Sequence, residues 1–264
     1  DVKIAVLDEV DRMFDIGFRE DIKKILRMCP EERQTIFVSA TITDEIEKLV
    51  RKHMRDPEKL VVTGGSLTVE MVKQHHVITP PWDKRRMLMH LIKTQDPHLA
   101  LVFCRMKRTV DDLVAYFERK GVPAEAIHGD MSQGRRNRVM KDLKEGRLRV
   151  LLASDLASRG IDVDDISHVF NYDLPEDPDL YVHRIGRTAR AGREGVAFSI
   201  VTPEQGRLLT DIEKLINAEV YPFEPEGFEF RDRPANWKDE PKPNQAVVEG
   251  VEERKSRYDN SGVM

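Results

Sequence analysis

Short β-branched runs alternate with amphipathic stretches of about ten to fifteen residues along most of this chain, and that alternation limits its fold more than any other feature. It is the pattern of βαβ units, in which crossover helices join parallel strands. The expected strands are residues 3–7, 35–38, 60–63, 74–79, 100–103, 124–128, 150–153, 168–171 and 195–200. The expected helices are 21–28, 43–53, 83–93, 107–120, 132–145 and 204–218, each with apolar residues at helical spacing. The fold class is therefore α/β, built on parallel sheets wound on both faces.

At about 150 residues per domain, 264 residues suggest two domains. Gly64-Gly65-Ser66 is the natural boundary, because paired glycines and a serine restrain the backbone little. We expect a first domain over 1–63, a linker over 64–73, a second domain over 74–220 and a flexible tail over 221–264. The first has only three expected strands and reads as the trailing part of a larger domain. The sequence also opens at Asp1 directly into an apolar strand, as a piece of a longer chain would.

Charged residues make up 34% of the chain, and no apolar run approaches the roughly 20 residues that cross a bilayer, so no membrane partner is expected. Cys29 and Cys104 are far apart, with no His or Cys partner at ligand spacing, and read as reduced thiols of a cytoplasmic protein. A net charge of -4 looks wrong for a nucleic-acid binder, but a total does not say where charges sit.

Five local patterns carry chemistry. In Val6-Leu7-Asp8-Glu9-Val10-Asp11 an apolar strand ends in carboxylates, at the sheet edge where open α/β folds bind ligands. An Asp there can hold Mg²⁺ directly or through water, and a neighbouring Glu can deprotonate an attacking water, although a solvated turn has the same composition. Ser39-Ala40-Thr41 follows the next strand, where the hydroxyls can bond Asp11 or cap a helix. His183-Arg184-Ile185-Gly186-Arg187-Thr188-Ala189-Arg190 opens a stretch with four arginines in ten residues and no acid, ending at Arg193, and a one-signed cluster suggests an anionic partner. Arg187 and Arg190 stand three apart, close enough to share one face of a helical turn, and guanidinium forks suit phosphoryl oxygens. Ser154 to Asp162 places small, acidic and glycine residues after a strand, suited to phosphate and ribose contacts or to a helix cap. His128-Gly129-Asp130 precedes Gln133-Gly134-Arg135-Arg136, from which basic residues continue to Arg149 as a candidate phosphate track or a solvated helix face.

Taken together and in order, these residues resemble the DEAD-box family of ATP-dependent RNA helicases over about residues 1–218. Asp8 to Asp11 resembles its Asp-Glu-Ala-Asp box, Ser39 to Thr41 its third motif and Phe103 to Arg108 its fourth. Gln133 to Arg136 resembles its Gln-x-x-Arg element, Ser154 to Asp162 its fifth motif and His183 to Arg190 its sixth. The resemblance implies RecA-like domains of the P-loop NTPase type, the first one truncated here, closing around ATP and single-stranded RNA. It implies that Asp8 positions Mg²⁺, that Glu9 activates water, and that Arg187 and Arg190 act as arginine fingers. Gly160 and Asp162 would contact ATP, with Asp162 at the ribose. Asp11, Ser39, Thr41 and His183 would couple nucleotide state to closure. Arg105, Gly129, Gln133, Arg136 and Ser154 would grip RNA sugar and phosphate with little regard to sequence. The whole protein would be a monomeric, RNA-stimulated ATPase that opens short duplexes. A non-enzymatic RNA clamp and a DNA helicase of the same superfamily are the alternatives.

Val10 stands where the box has alanine, and Ala189 where the sixth motif has glycine, which leaves the backbone between the two arginines less free. The 264 residues contain no Gly-x-x-x-x-Gly-Lys-Ser/Thr loop. Without such a phosphate cradle the chain alone is expected to hydrolyse little ATP.

Overall fold

The strands at the centre of the second half are apolar at nearly every position, as strands covered on both faces must be. The computed structural model describes residues 2–15, 17–39, 42–61, 70–155, 166–189 and 194–237. The chain divides into two compact units, Asp1–Thr63 and Gly64–Met264.

In the first unit β1 (Ile4–Leu7) pairs in parallel with β2 (Gln34–Phe37). Helices α1 (Val10–Asp15), α2 (Arg19–Met28) and α3 (Asp44–His53) accompany them. Leu7, Val10, Ile22, Leu26, Ile46 and Leu49 form the core, whereas Ile4, Val6 and Ile36 of the same strands are exposed. The start of α3 follows from sequence: the Thr43 side chain accepts from Ile46 N, acids fill the first turn and bases the last, opposing the helix dipole. Leu60 and Val61, expected to begin a strand, lie exposed and outside any strand. Propensity alone does not make a strand without a neighbour to pair with.

Among the described residues the second unit forms a seven-stranded sheet in the order β5-β6-β4-β7-β8-β3-β9, all pairs parallel. The strands are β3 (Val72–Ile78), β4 (Ala100–Cys104), β5 (Glu125–Ile127), β6 (Val150–Ser154), β7 (His168–Asn171), β8 (Gly195–Val201) and β9 (Tyr221–Pro222). The helices are α4 (Lys84–Gln95), α5 (Lys107–Arg119), α6 (Gln133–Lys144), α7 (Pro178–Ile185) and α8 (Gly206–Ile216). Alternate strand residues enter two separate cores. Ala100, Val102 and Cys104 pack with α4 and α5 on one face, and Leu101 and Phe103 pack with α6, α7 and α8 on the other. This is the doubly wound α/β arrangement expected from the alternation.

Two expected boundaries move. Val72 and Lys73, read as linker, pair with Gly195 and Val196 and begin β3. The segment read as a flexible tail from residue 221 is packed as far as Trp237. Tyr221 and Pro222 add a short edge strand to β3, a place where proline's missing N–H does no harm. Phe223 then stacks edge-on against Phe198, Phe228 against His90, and Trp237 against Trp82. Asp83, fully buried, accepts from Arg231 N at 2.7 Å and from Arg86 Nη1 at 2.6 Å. The segment lacks periodicity because it lies across the unit as an extended strap, and spaced aromatics supply its contacts.

His75 and His168 flank Phe198 in a ring stack, at 5.3 and 6.5 Å between centroids, and burial lowers the pKa of both imidazoles. The folded state therefore resists protonation that the unfolded chain accepts below about pH 6.5. Stability should be full at pH 7.5 and decline as pH falls from about 6.5 toward 5, read as a falling urea midpoint of the 264-residue chain. His75→Phe with His168→Phe should flatten that slope; a midpoint that stays level or rises on acidification would contradict the assignment.

Candidate functional site

In the first unit, the chain turns sharply from β1 into α1. Asp8 is exposed and its Oδ1 accepts from Glu9 N at 2.9 Å, while Glu9 adopts a left-handed backbone with φ of 51°. Such a conformation is costly for a residue with a side chain and is typical of functional turns. It leaves Asp8 exposed and Glu9 half-buried just past the strand end, with Val10 fully buried as their anchor. The valine that departs from the box is thus a core residue facing α2 and α3. Asp11 and Ser39, 28 residues apart, meet: Ser39 Oγ accepts from the backbone N–H of Asp11 at 3.3 Å. Thr43, rather than Ser39, caps the following helix. Thr41 lies outside the described residues, as do Gly160, Asp162 and Arg190. Among the described residues no group of three or more His, Cys, Asp or Glu side chains could enclose a metal by itself. Two adjacent carboxylates suit Mg²⁺, which keeps several waters and commonly shares one or two carboxylates with substrate phosphates.

In the second unit the register aligns the ends of neighbouring strands. Cys104 pairs with Ser154, Phe103 with Asn171, and Ile127 with Ala153. Arg105, Ser154 and the loop from His128 to Asp130 therefore emerge side by side at the carboxyl edge of the sheet, where ligands of open α/β sheets bind. A Cβ built on Gly129 would meet nothing within 4 Å, so no neighbour in the chain demands glycine, and a ligand backbone has room to approach. Ser132 caps α6 by accepting from Arg135 N, which brings Gln133 and Arg136 to this edge in the first turn. Gln133 is exposed and Arg136 half-buried. Lys107 pairs with Asp130 across the same loop, and that hydrogen bond holds the Asp130 carboxyl below its usual range.

The expected phosphate track does not extend along the whole of α6. The helix runs from the carboxyl edge back to the amino edge, so its later bases leave the site. Arg147 pairs with Asp142 and Glu145, and Arg149 donates to Asp96 Oδ1 at 2.8 Å and Pro97 O at 2.6 Å beside the start of β4. Charge counted along a sequence does not reveal which end of a helix faces a ligand.

The arginine cluster also divides. Arg184 is 1% exposed and belongs to the interior. Its Nε and Nη2 donate to the two carboxylate oxygens of Asp155 at 2.6 and 2.8 Å, and its Nη1 donates to Asp173 O at 2.6 Å and Asn171 Oδ1 at 3.2 Å. Its guanidinium lies 5.1 Å from the Phe103 ring centroid. Only this planar fork satisfies so many acceptors at once. Helix α7 ends at Ile185 with Gly186 as C-cap, and Ala189 takes a left-handed conformation with φ of 55°, so Arg187 lies past the end of the helix. Arg187 sits on a bent segment, and Ala189 adopts the backbone that glycine tolerates best. That segment is pinned by Thr188, whose hydroxyl donates to Ile166 O at 2.5 Å, and by close packing on Gly195, where a Cβ would come within 2.8 Å of Ala189 N. Arg187 and His183 are half-buried. Tyr181 OH donates to Gln74 Oε1 at 2.9 Å and fixes α7 to β3, and burial pushes its phenol pKa up. Cys104 is buried, which raises its thiol pKa and leaves it inert; it and Cys29 are free cysteines.

Asn171 and Asp173 were not singled out by spacing, and Asp155 only as part of the Ser154 to Asp162 stretch. Their signal is the same as at Asp8: an apolar strand, here Val169-Phe170, running into polar residues at its carboxyl end.

Comparison with known proteins finds two family matches. Residues 1–49 match the DEAD/DEAH box helicase family, and residues 83–192 match the helicase conserved C-terminal domain. The ATP-dependent RNA helicase CshA of Limosilactobacillus reuteri is 43% identical over 224 residues, covering 85% of this chain and 45% of the relative. The DEAD-box ATP-dependent RNA helicase CshA of Geobacillus kaustophilus is 44% identical over 213 residues, covering 81% and 46%. The chain spans about half the length of the curated relatives it matches. Among solved structures, S. cerevisiae Dbp5 bound to RNA and ADP BeF3 gives a TM-score of 0.77 at 32% identity, over 85% of this chain and 60% of that one. The E. coli DEAD-box protein SrmB, bound to regulator of ribonuclease activity A, gives 0.55 at 36% identity, over 61% of this chain and 98% of that one.

Arg184→Ala removes a buried cation and leaves the Asp155 carboxylate without its bidentate partner, which should cost about 3–5 kcal/mol in urea unfolding. Arg184→Lys should recover less than half, because one ammonium cannot reach all the acceptors. A loss below about 1 kcal/mol for alanine, the scale of an exposed pair, would contradict the structural role.

Proposed function

Because the chain belongs to the DEAD-box helicase family, we propose that it is part of an ATP-dependent RNA helicase and carries that enzyme's water-activating carboxylates, phosphate-directed arginines and half of its RNA contacts. The observation that carries this reading is the shared carboxyl edge of β4, β5 and β6, with Arg105, Ser154, open Gly129 and the first turn of α6 beside it. Those groups are backbone-binding rather than base-reading: guanidinium, hydroxyl, amide and bare backbone suit phosphate and ribose. No aromatic platform stands among them, so the preference for RNA would be largely independent of sequence.

In this reading Asp8 would hold Mg²⁺ through water, and the ion would supply neutralisation of phosphate charge. Glu9, held just past Asp8 by its left-handed turn, accepts the proton of the attacking water. Arg187 and Arg190 stabilise negative charge on the transferred phosphoryl oxygens. Asp162 and Gly160 hold the ribose side of ATP. Asp11, Ser39, Thr41 and His183 pass the nucleotide state on to RNA grip. Ser39 is already committed to the start of α1, so a shift at the second strand end reaches Asp11 directly. The 264 residues alone, lacking a phosphate-binding loop, would hydrolyse ATP negligibly. We place the protein in the cytoplasm, on its free cysteines, and as a monomer.

In the full-length protein, Arg187→Ala should cut RNA-stimulated phosphate release by about 10³-fold or more, while RNA affinity changes less than about threefold. Steady-state phosphate release and RNA anisotropy check the pair of values. Equal loss of both would remove Arg187 from the catalytic role. An absence of RNA-stimulated release in the unsubstituted protein would favour a non-enzymatic clamp, and equal stimulation by DNA would favour a DNA helicase.

A further inference from the structure

The strand ends of the second unit share a carboxylate that the helicase motifs leave out. Asp173 follows β7, and its Oδ1 accepts from Lys84 Nζ at 2.5 Å. Its Oδ2 accepts from the backbone N–H of Arg105 at 3.0 Å, and its carbonyl accepts from Arg184 Nη1 at 2.6 Å. The Lys84 side chain is 9% exposed, with Nζ 4.4 Å from the Tyr172 ring centroid. An ammonium so enclosed is tolerated only when paired, and the carboxylate and the ring face together provide that pairing.

The two side-chain bonds do different things. Lys84, at the start of α4, fixes where the carboxylate points; the carboxylate fixes the amide of Arg105, the first residue past β4. The N-cap of α5 is Met106, which makes no side-chain capping hydrogen bond, and the Asp173 carboxylate supplies a side-chain acceptor to the backbone of this turn. Arg105 itself reaches Glu176 with Nη1 at 3.2 Å, so its guanidinium already lies over the segment that begins at Asp173. Through its carbonyl, Asp173 also sets the acceptor geometry of Arg184, on the helix that precedes Arg187.

We propose that Asp173 is a positioning residue for RNA binding: with its carboxylate set by Lys84, it holds the Arg105 turn in the conformation that meets the RNA backbone, and it registers that turn against helix α7. The proposal rests on the reading of Arg105 as an RNA contact. Asp173 touches no RNA in this account and acts through the Arg105 amide. Loss of one charge-assisted hydrogen bond at a contact of this kind corresponds to about a tenfold change in half-saturation.

The test uses the full-length protein, single-stranded oligouridylate as probe, and four readouts: the oligouridylate concentration giving half-maximal stimulation of phosphate release, the unstimulated rate, its ATP dependence, and the thermal midpoint. Asp173→Ala should raise the half-saturating concentration about tenfold, while the unstimulated rate and the ATP dependence stay within about twofold. Asp173→Asn and Lys84→Met should move the half-saturation in the same direction by smaller factors, and they decide the matter if the alanine variant does not fold. Unchanged half-saturation in folded variants overturns the proposal. So does a uniform fall of every constant in step with the thermal midpoint, the mark of a merely structural role. A parent protein that neither binds nor responds to oligouridylate defeats the functional reading itself, and this proposal with it.

Discussion

A buried guanidinium with a carboxylate, a carbonyl and an amide oxygen around it is the constraint on which the rest of the second unit depends. Arg184 joins the end of β6 through Asp155, the end of β7 through Asn171 and Asp173, and the ring of Phe103 on β4, all from one helix. Strand ends in an open α/β sheet are the least restrained part of the fold, because the ladder stops there and loops begin. The arginine replaces the missing ladder with directional bonds across three neighbouring strands. Buried charge of this kind contributes little net stability compared with a well-packed apolar core, but removing one partner is severe. Its effect is to fix where the chain leaves β4, β6 and β7, and two of the candidate RNA contacts, Arg105 and Ser154, stand at those strand ends.

Thr188, Tyr181 and Gly195 extend the same logic to the arginine-bearing segment. The threonine hydroxyl holds carbonyl groups just before β7, the tyrosine reaches across to β3, and the glycine lets the segment lie flat on β8. The left-handed conformation of Ala189, just past Arg187, is sustained by these neighbours, since alanine does not favour it unaided. The first unit repeats the theme at smaller scale, with a left-handed Glu9 and a hydroxyl from the next strand end holding Asp11.

Much of this was legible in the residues. Continuous apolar runs separated by amphipathic helices specify a buried parallel sheet, and an apolar strand that ends in Asp-Glu, Ser-Ala-Thr or Ser-Asp puts chemistry at its carboxyl edge. What was not legible depended on direction or on distant partners. Arg184 and Arg187 look alike in sequence, yet one is interior and the other lies toward the surface, a distinction made by acceptors on β6 and β7. The bases from Lys144 to Arg149 look continuous with Arg136, yet the helix carries them to the opposite edge. Lys84 and Asp173, 89 residues apart, carry no local signal of their pairing. The strap from 221 to 237 reads as tail because its order comes from the surface under it, at Trp82, Asp83 and His90.

The central claim is that the carboxyl edge of the second sheet is an RNA-backbone site built on that polar junction. Amide chemical shifts of the 264-residue chain during titration with single-stranded oligouridylate test it most directly. The account predicts salt-sensitive shifts concentrated at Arg105, Gly129, Gln133, Arg136 and Ser154, with Arg147 and Arg149 at the opposite edge unmoved. Shifts centred on Arg147 and Arg149, or none at the carboxyl edge under low salt, would contradict it.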